Sequence, residues 1–440
     1  MELAQRAGGF AISRHYLHSR WGCFKLAREQ RVEQDFASLF ALTIDVPMLA
    51  MDRTVSAAGS AFTWERASVS VFGEAMERLG LFSYSPADVR WDSFQDLAGL
   101  ALDPSRCLHY PEEVYQRQEL GIAPFDPAAR GAWYEAYNLT RCRRQYVPAV
   151  FVFNELTRDF PAEARWDRPV STGGACHFET QRAMLTGLYE VIERDALMIH
   201  WENRLTGTPR PAPPGLAGVQ RQLAQWGFSL QLVELPTDFD VHVALAVVVD
   251  ETGRRPAMGL GTAARATWSL AAPKALEEAF LAMLWMTVRR GTSPLPEAAV
   301  REALARVPEP VHHADLYAFR QNMPHCAFLW QGTRRLRPGA TGVDTTGDTR
   351  SWPSTAAEFE WLRAQVEARG YEVIVADITP CEGAEFGLYV VRILVPGLVQ
   401  LSRGVHLRPV RNPRLRHIPE FFGQAGYYLP RGNSEPHPLP

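Results

Sequence analysis

The sequence predicts an α+β fold of irregular α/β layers, and three observations carry that prediction. Segments rich in β-branched residues are mixed with long amphipathic helical segments, without the strict βαβ alternation of a doubly wound sheet. The 440 residues are 46% apolar and 22% charged, the balance of an ordinary globular chain with room for two or three domains. No apolar run approaches membrane-spanning length, and the N-terminus lacks the apolar core of a signal peptide. A net charge of -3 gives no electrostatic reason to expect nucleic acid. Cys23, Cys107, Cys142, Cys176, Cys326 and Cys381 include no CxxC pair. They read as buried free thiols of a reducing cytoplasm.

Taken in order, residues 1–45 predict one or two short amphipathic helices ahead of a principal domain over 46–430. Residues 61–80 form a helical pattern, and 102–130 are loop punctuated by proline and aromatics. In QYVPAVFVFNEL a strand is expected around Val147–Phe153. STGGACHFETQRAMLTGLYEVIERDALMIHW reads as a glycine loop opening a long helix. TGTPRPAPPG at 206–215 reads as a connection between lobes. FSLQLVEL and VHVALAVVVD predict strands, and Ala272–Arg290 a helix. Another helix covers 355–369, started by a Thr355/Glu358 capping box and stopped by Gly370. YEVIVADIT and LYVVRILVPGL predict paired strands, and residues 431–440 a proline-rich tail.

One motif occurs twice. Glu74, Glu77 and Arg78 lie in SVFGEAMERLGLF, and Glu190, Glu193 and Arg194 in TGLYEVIERDALM. Helical spacing puts each set on one face. A single ExxER is a routine surface ion pair worth roughly a few tenths of a kcal/mol. Two copies, each after a small-residue stretch (SAAGSAFT, STGGACH), suggest four carboxylates around magnesium, with backbone N–H groups for phosphate oxygens. A Walker loop is excluded, because neither lysine of the chain, Lys25 or Lys274, follows a glycine.

Other signals are weaker. Gly259, Gly261 and Ala264 match GxGxxA, but the turn does not directly follow a strand and Thr267–Ser269 delay the helix. His312 and His313 form a lone pair without metal-site spacing. Cys176, at an expected helix start, reads either as a thiol activated by the helix dipole or as a small packing residue. Finally, Pro436, Pro438 and Pro440 spell PxPxP at the C-terminus, a stiff segment that can enter a groove at low entropic cost.

From about Asp45 to Pro440 these pieces resemble the YcaO family, specifically its azoline-forming cyclodehydratases of thiazole/oxazole-modified peptide biosynthesis. The resemblance rests on Ser70-x3-Glu74-x2-Glu77-Arg78, STGG…EVIERDA, VADIT…YVVRILVPGL with Arg392, and the terminal PHPLP. It implies an ATP-binding fold without a P-loop. Glu74, Glu77, Glu190 and Glu193 would hold Mg2+ or bridge it to phosphate; Ser70, Arg78, Arg194 and Arg392 would bind the nucleotide. The carboxylate of Pro440 would be a positioned base, delivered by Pro436 and Pro438.

The chemistry implied is ATP-dependent cyclodehydration of Cys, Ser or Thr in a ribosomally made precursor peptide. The implied partners are that peptide with its leader, a separate ThiF-like protein, a flavin dehydrogenase of the same pathway, and a second copy of the chain as a homodimer. Four departures accompany the resemblance. Ala175, Arg182 and Thr186 stand where the family carries Ser, Glu and Gln, and Ser60 stands where it carries Lys. Either Arg182 takes a phosphate directly or ATP turnover is impaired. Two alternatives therefore stay open: a degenerate scaffold that docks peptide and partner, and another amide activation such as thioamide or macroamidine formation.

Overall fold

The structure, a computed structural model, describes residues 26–30, 40–48, 53–97, 99–154, 156, 165–168, 170–292, 295–306, 311–337, 350–403 and 405–439. It divides into two compact units. One comprises the described residues of Met1–Pro104, Ile122–Leu188 and Ser354–Val395; the other those of Ser105–Gly121, Tyr189–Pro353 and Pro396–Pro440. The long helix Thr180–Glu202 contributes its residues through Leu188 to the first and the remainder to the second.

In the first unit, strands Leu26–Gln30, Phe40–Met48 and Arg53–Ala61 form an antiparallel sheet in chain order. Leu42, Ile44 and Val46 recur at period two and are buried, which is why this stretch is a strand. The helices expected over 1–45 are thus corrected at Leu26–Gln30 and from Phe40 onward; the other residues of that segment lie outside those described. Helix Trp64–Phe82 follows, its first turn capped by Thr63 Oγ1 accepting from Arg66 N at 3.3 Å. It packs on Arg53–Ala61 through Gly59, where a Cβ would stand 2.2 Å from Val71 N. The small residues of SAAGSAFT therefore serve a strand–helix contact and not a phosphate loop.

The second sheet of this unit runs Val89–Ser93, Arg130–Asn138, Ile374–Asp377, Tyr389–Leu394, Gly174–His177, with Arg143–Pro148 also paired to Arg130–Asn138. Ile374–Asp377 and Tyr389–Leu394 pair antiparallel, as the sequence predicts. The strand expected over Val147–Phe153 ends at Pro148, and Ala149–Val152 form a helical turn. Proline lacks the N–H that would continue the ladder. Helix Thr355–Ala368 is capped one residue earlier than expected, by Ser354 Oγ accepting from Ala357 N at 3.2 Å. Gly370 ends it in the left-handed region (φ 80°).

In the second unit, strands Met258–Arg265, His242–Asp250, Phe228–Glu234 and Thr208–Pro209 form an antiparallel sheet in that order. All nine residues of His242–Asp250 are buried. The segment 206–215 lies wholly inside this unit, with Thr208–Pro209 paired to the end of Phe228–Glu234. Helix Trp268–Thr292 packs against Met258–Arg265 at its glycines. A Cβ at Gly259 would lie 2.2 Å from Ala279 O, and one at Gly261 2.3 Å from Ala275 O. The GxGxxA spacing is a helix-packing device, not a dinucleotide turn.

Candidate functional site

Helix Trp64–Phe82 carries the first ExxER with Ser70, Glu74, Glu77 and Arg78 half-buried. Arg78 Nη2 donates to Glu74 Oε1 at 2.9 Å, one turn back. Glu77 faces strand Gly174–His177: a Cβ at Gly174 would stand 2.9 Å from its Oε1. Only glycine lets the strand approach that carboxylate so closely. Cys176 lies on the same strand, not at a helix start. Burial, and then the Glu77 carboxylate, push its thiol pKa up, which disfavours the thiolate.

The second ExxER repeats the geometry in the second unit. Arg194 Nη2 reaches Glu190 Oε1 at 3.4 Å and Arg194 Nη1 reaches Glu193 Oε1 at 3.1 Å. Glu193 is further engaged by Thr262, whose hydroxyl donates at 2.5 Å, and by Ala264 N at 3.2 Å. Beyond it stand residues the sequence reading did not select. Lys274 Nζ lies 2.7 Å from Glu278 and 3.9 Å from Glu277. Burial opposes the charge on Glu278, but Lys274, Arg194 and Arg265 outweigh it and hold its pKa below the usual carboxylate range. The one available signal was rarity, since Lys274 is one of only two lysines.

Other expected residues fall elsewhere. Arg392 is buried, with Nε donating to Phe151 O at 3.3 Å and Nη2 to Val170 O. These bonds tie three segments of the first unit together. Arg182 and Thr186 are exposed on helix Thr180–Glu202, whereas Ala175 and Ser60 are buried in strands. Burial, and then the Arg182 charge, lower the pKa of His177. Among the described cysteines, Cys142 and Cys381 are exposed, which corrects the expectation of uniformly buried thiols.

The tail is buried from Pro436 through Leu439 within the second unit; Pro440 lies outside the described residues. The same helix that carries the second ExxER holds the chain's last segment. Asp195 accepts from Val399 N and, bidentately, from Arg414 Nε (2.8 Å) and Nη2 (2.6 Å). Glu202 pairs with Arg408 and accepts from Asn433 N at 3.0 Å, and Asn203 bonds Leu415 O and Leu429 N. His313, dismissed as half of a lone histidine pair, is buried on helix Val311–Tyr317 with its ring 4.2 Å from that of His437.

A family model described as YcaO cyclodehydratase, ATP- and Mg2+-binding, matches residues 58–399. The chain belongs to the YcaO family. Among solved structures, a heterocyclase in complex with substrate and cofactor is similar over 99% of this chain and 57% of its own (TM-score 0.79, 19% identity). The chain thus spans little more than half of that protein. YcaO from Methanopyrus kandleri, bound with AMPPCP and Mg2+, is similar over 90% of this chain and 89% of its own (TM-score 0.63, 19% identity). A chain of the E. coli microcin synthetase McbBCD complex matches over 94% and 96% respectively (TM-score 0.63, 13% identity). At these identities the likeness establishes the fold, the mixed α+β architecture of YcaO proteins. Among curated sequences, none is significantly similar.

YcaO proteins bind ATP and Mg2+, and the donor set here fits both. In the first unit the carboxylates of Glu74 and Glu77 are of the kind that suits magnesium and Arg78 of the kind that suits phosphate; in the second, Glu190 is of the first kind and Arg194 and Lys274 of the second. Among the described residues, no three His, Cys, Asp or Glu side chains already stand together as a metal-binding group. Nor is any described helix long and apolar enough to cross a membrane.

Proposed function

We propose that this chain is an ATP-dependent cyclodehydratase acting on Cys, Ser or Thr of a ribosomally made precursor peptide. The burial of Pro436–Leu439 is the observation that carries this reading, because these residues belong to the motif the resemblance ties to azoline formation. Glu74, Glu77, Glu190 and Glu193 would hold magnesium, and Arg78, Arg194 and the exposed Arg182 would neutralise phosphate charge. ATP supplies the phosphoryl group that turns the former amide oxygen of the substrate into a leaving group. The substrate's own thiol or hydroxyl attacks the preceding carbonyl carbon. That oxygen then departs as phosphate while the ring C=N forms, so the peptide loses one water per ring. A base must accept the protons released. A leader-binding ThiF-like partner delivers the peptide, and a flavin dehydrogenase of the pathway oxidises the product.

The test is mass spectrometry of the precursor incubated with this chain, its partner, Mg2+ and ATP. Loss of one water mass per ring, dependent on both Mg2+ and ATP, is expected; an unchanged mass with partner and leader present overturns the reading. A second reading, a scaffold without turnover, is favoured by Glu193, both of whose oxygens are engaged by Thr262, Ala264 and Arg194. Partner binding without calorimetric heat from Mg-ATP would select it.

A further inference from the structure

Three consecutive carbonyls near the end of the chain each accept a bond from an aromatic side chain. Trp201 Nε1 donates to Glu435 O at 3.1 Å, the Tyr317 hydroxyl to Pro436 O at 2.6 Å, and His313 Nδ1 to His437 O at 3.2 Å. Pro436 and Pro438 have no N–H, so this segment cannot be held as a strand is, by a ladder of donors and acceptors. Its carbonyls are what remain to be recognised, and buried carbonyls left unpaired are costly. Proline-rich ligands are elsewhere bound in aromatic-lined grooves that exploit their low conformational entropy.

The surroundings complete such a groove. Trp201 and Tyr317 pack edge to face at 6.5 Å. The His437 ring lies against His313, and its Nε2 donates to Ser402 O at 2.9 Å. Outside the buried part, the Glu435 carboxylate lies 3.8 Å from Arg301 and 3.5 Å from His325. Burial lowers the pKa of His437, against the bond to Ser402 O.

We propose that Trp201, Tyr317 and His313 form a built-in reader of the chain's own Glu435–Leu439 segment and are positioning residues for the reaction. This rests on the cyclodehydratase reading only for its effect on turnover. In the full-length chain, Tyr317→Phe and His313→Leu each remove one donor. His313→Asn keeps an N–H near the Nδ1 position. Hydrogen exchange is read at His437 and Leu439, which carry the only main-chain N–H groups from 436 to 439.

Expected is roughly tenfold faster exchange in Tyr317→Phe and His313→Leu, with near-normal exchange in His313→Asn. In parallel, kcat for precursor modification falls by about tenfold while KM for ATP stays within about twofold, and His313→Asn restores kcat. Unchanged exchange overturns the reader. Faster exchange with unchanged kcat overturns the positioning role, leaving a merely structural contact. If the unsubstituted chain modifies no peptide, the functional reading fails, and the exchange result alone still decides the groove.

Discussion

The hydroxyl of Thr262 donates to Glu193 Oε1 at 2.5 Å, and Arg194 Nη1 meets both groups, at 3.2 Å and 3.1 Å. A strand of the second unit therefore fixes the second ExxER from the side. Thr262→Val keeps the shape and removes the donor, leaving a buried carboxylate short of one partner. A loss of about 1–3 kcal/mol in urea unfolding is expected, together with weaker Mg-ATP binding by calorimetry. Unaltered stability and affinity would mean that the bond does not orient Glu193.

Arg414 is held between Asp195 and Asp238, with all three side chains buried. Burial alone would lower the guanidinium pKa, but the two carboxylates raise it well above its ordinary value. Arg414→Leu leaves two buried carboxylates facing each other, and a loss of about 3–5 kcal/mol is expected from denaturant midpoints. Replacing Asp195 and Asp238 by Asn in the same variant should recover part of that loss.

Burial pushes both His200 and His437 down to about 4, from 6.5. The folded chain thus binds fewer protons than the unfolded chain between these values, and stability falls as pH drops through that window. The full contribution is present above 6.5, and up to about 3 kcal/mol per histidine is lost toward pH 4. His437→Gln should flatten the dependence of the unfolding midpoint on pH; an unchanged slope would contradict the assignment.

Two glycine substitutions should behave differently. At Gly261 a methyl group meets backbone, Ala275 O and Ala279 N, both at 2.3 Å. Gly261→Ala should cost at least about 1–3 kcal/mol and show as a lowered melting temperature. At Gly174 the nearest atom is the flexible end of Glu77. Gly174→Ala should leave the fold close to native but displace that carboxylate, weakening Mg-ATP several-fold in calorimetry.

The regular elements were legible wherever one signal dominated. Val243 to Val249 read as a strand, and Ile374–Asp377 with Tyr389–Leu394 as a pair, because β-branched runs have few other uses. Misreadings fell where a residue had two uses. Glycine and alanine in SAAGSAFT suit a phosphate loop or a tight strand–helix contact, and only the approach of Val71 to Gly59 separates them. Arg392 suits a phosphate or a set of carbonyls, and its bonds to Phe151 O and Val170 O join residues far away in sequence.

By itself the sequence determined the α+β class, the ExxER duplication and the proline-rich terminus, because helix spacing and proline stereochemistry are local properties of the chain. It also named the family, through motifs whose order survives without any knowledge of contacts. Only the tertiary structure decided that Thr262 joins the second ExxER and that Trp201, Tyr317 and His313 grip the tail. Those partners lie scores of residues apart, and no periodicity in a linear chain encodes which donor will meet which buried acceptor.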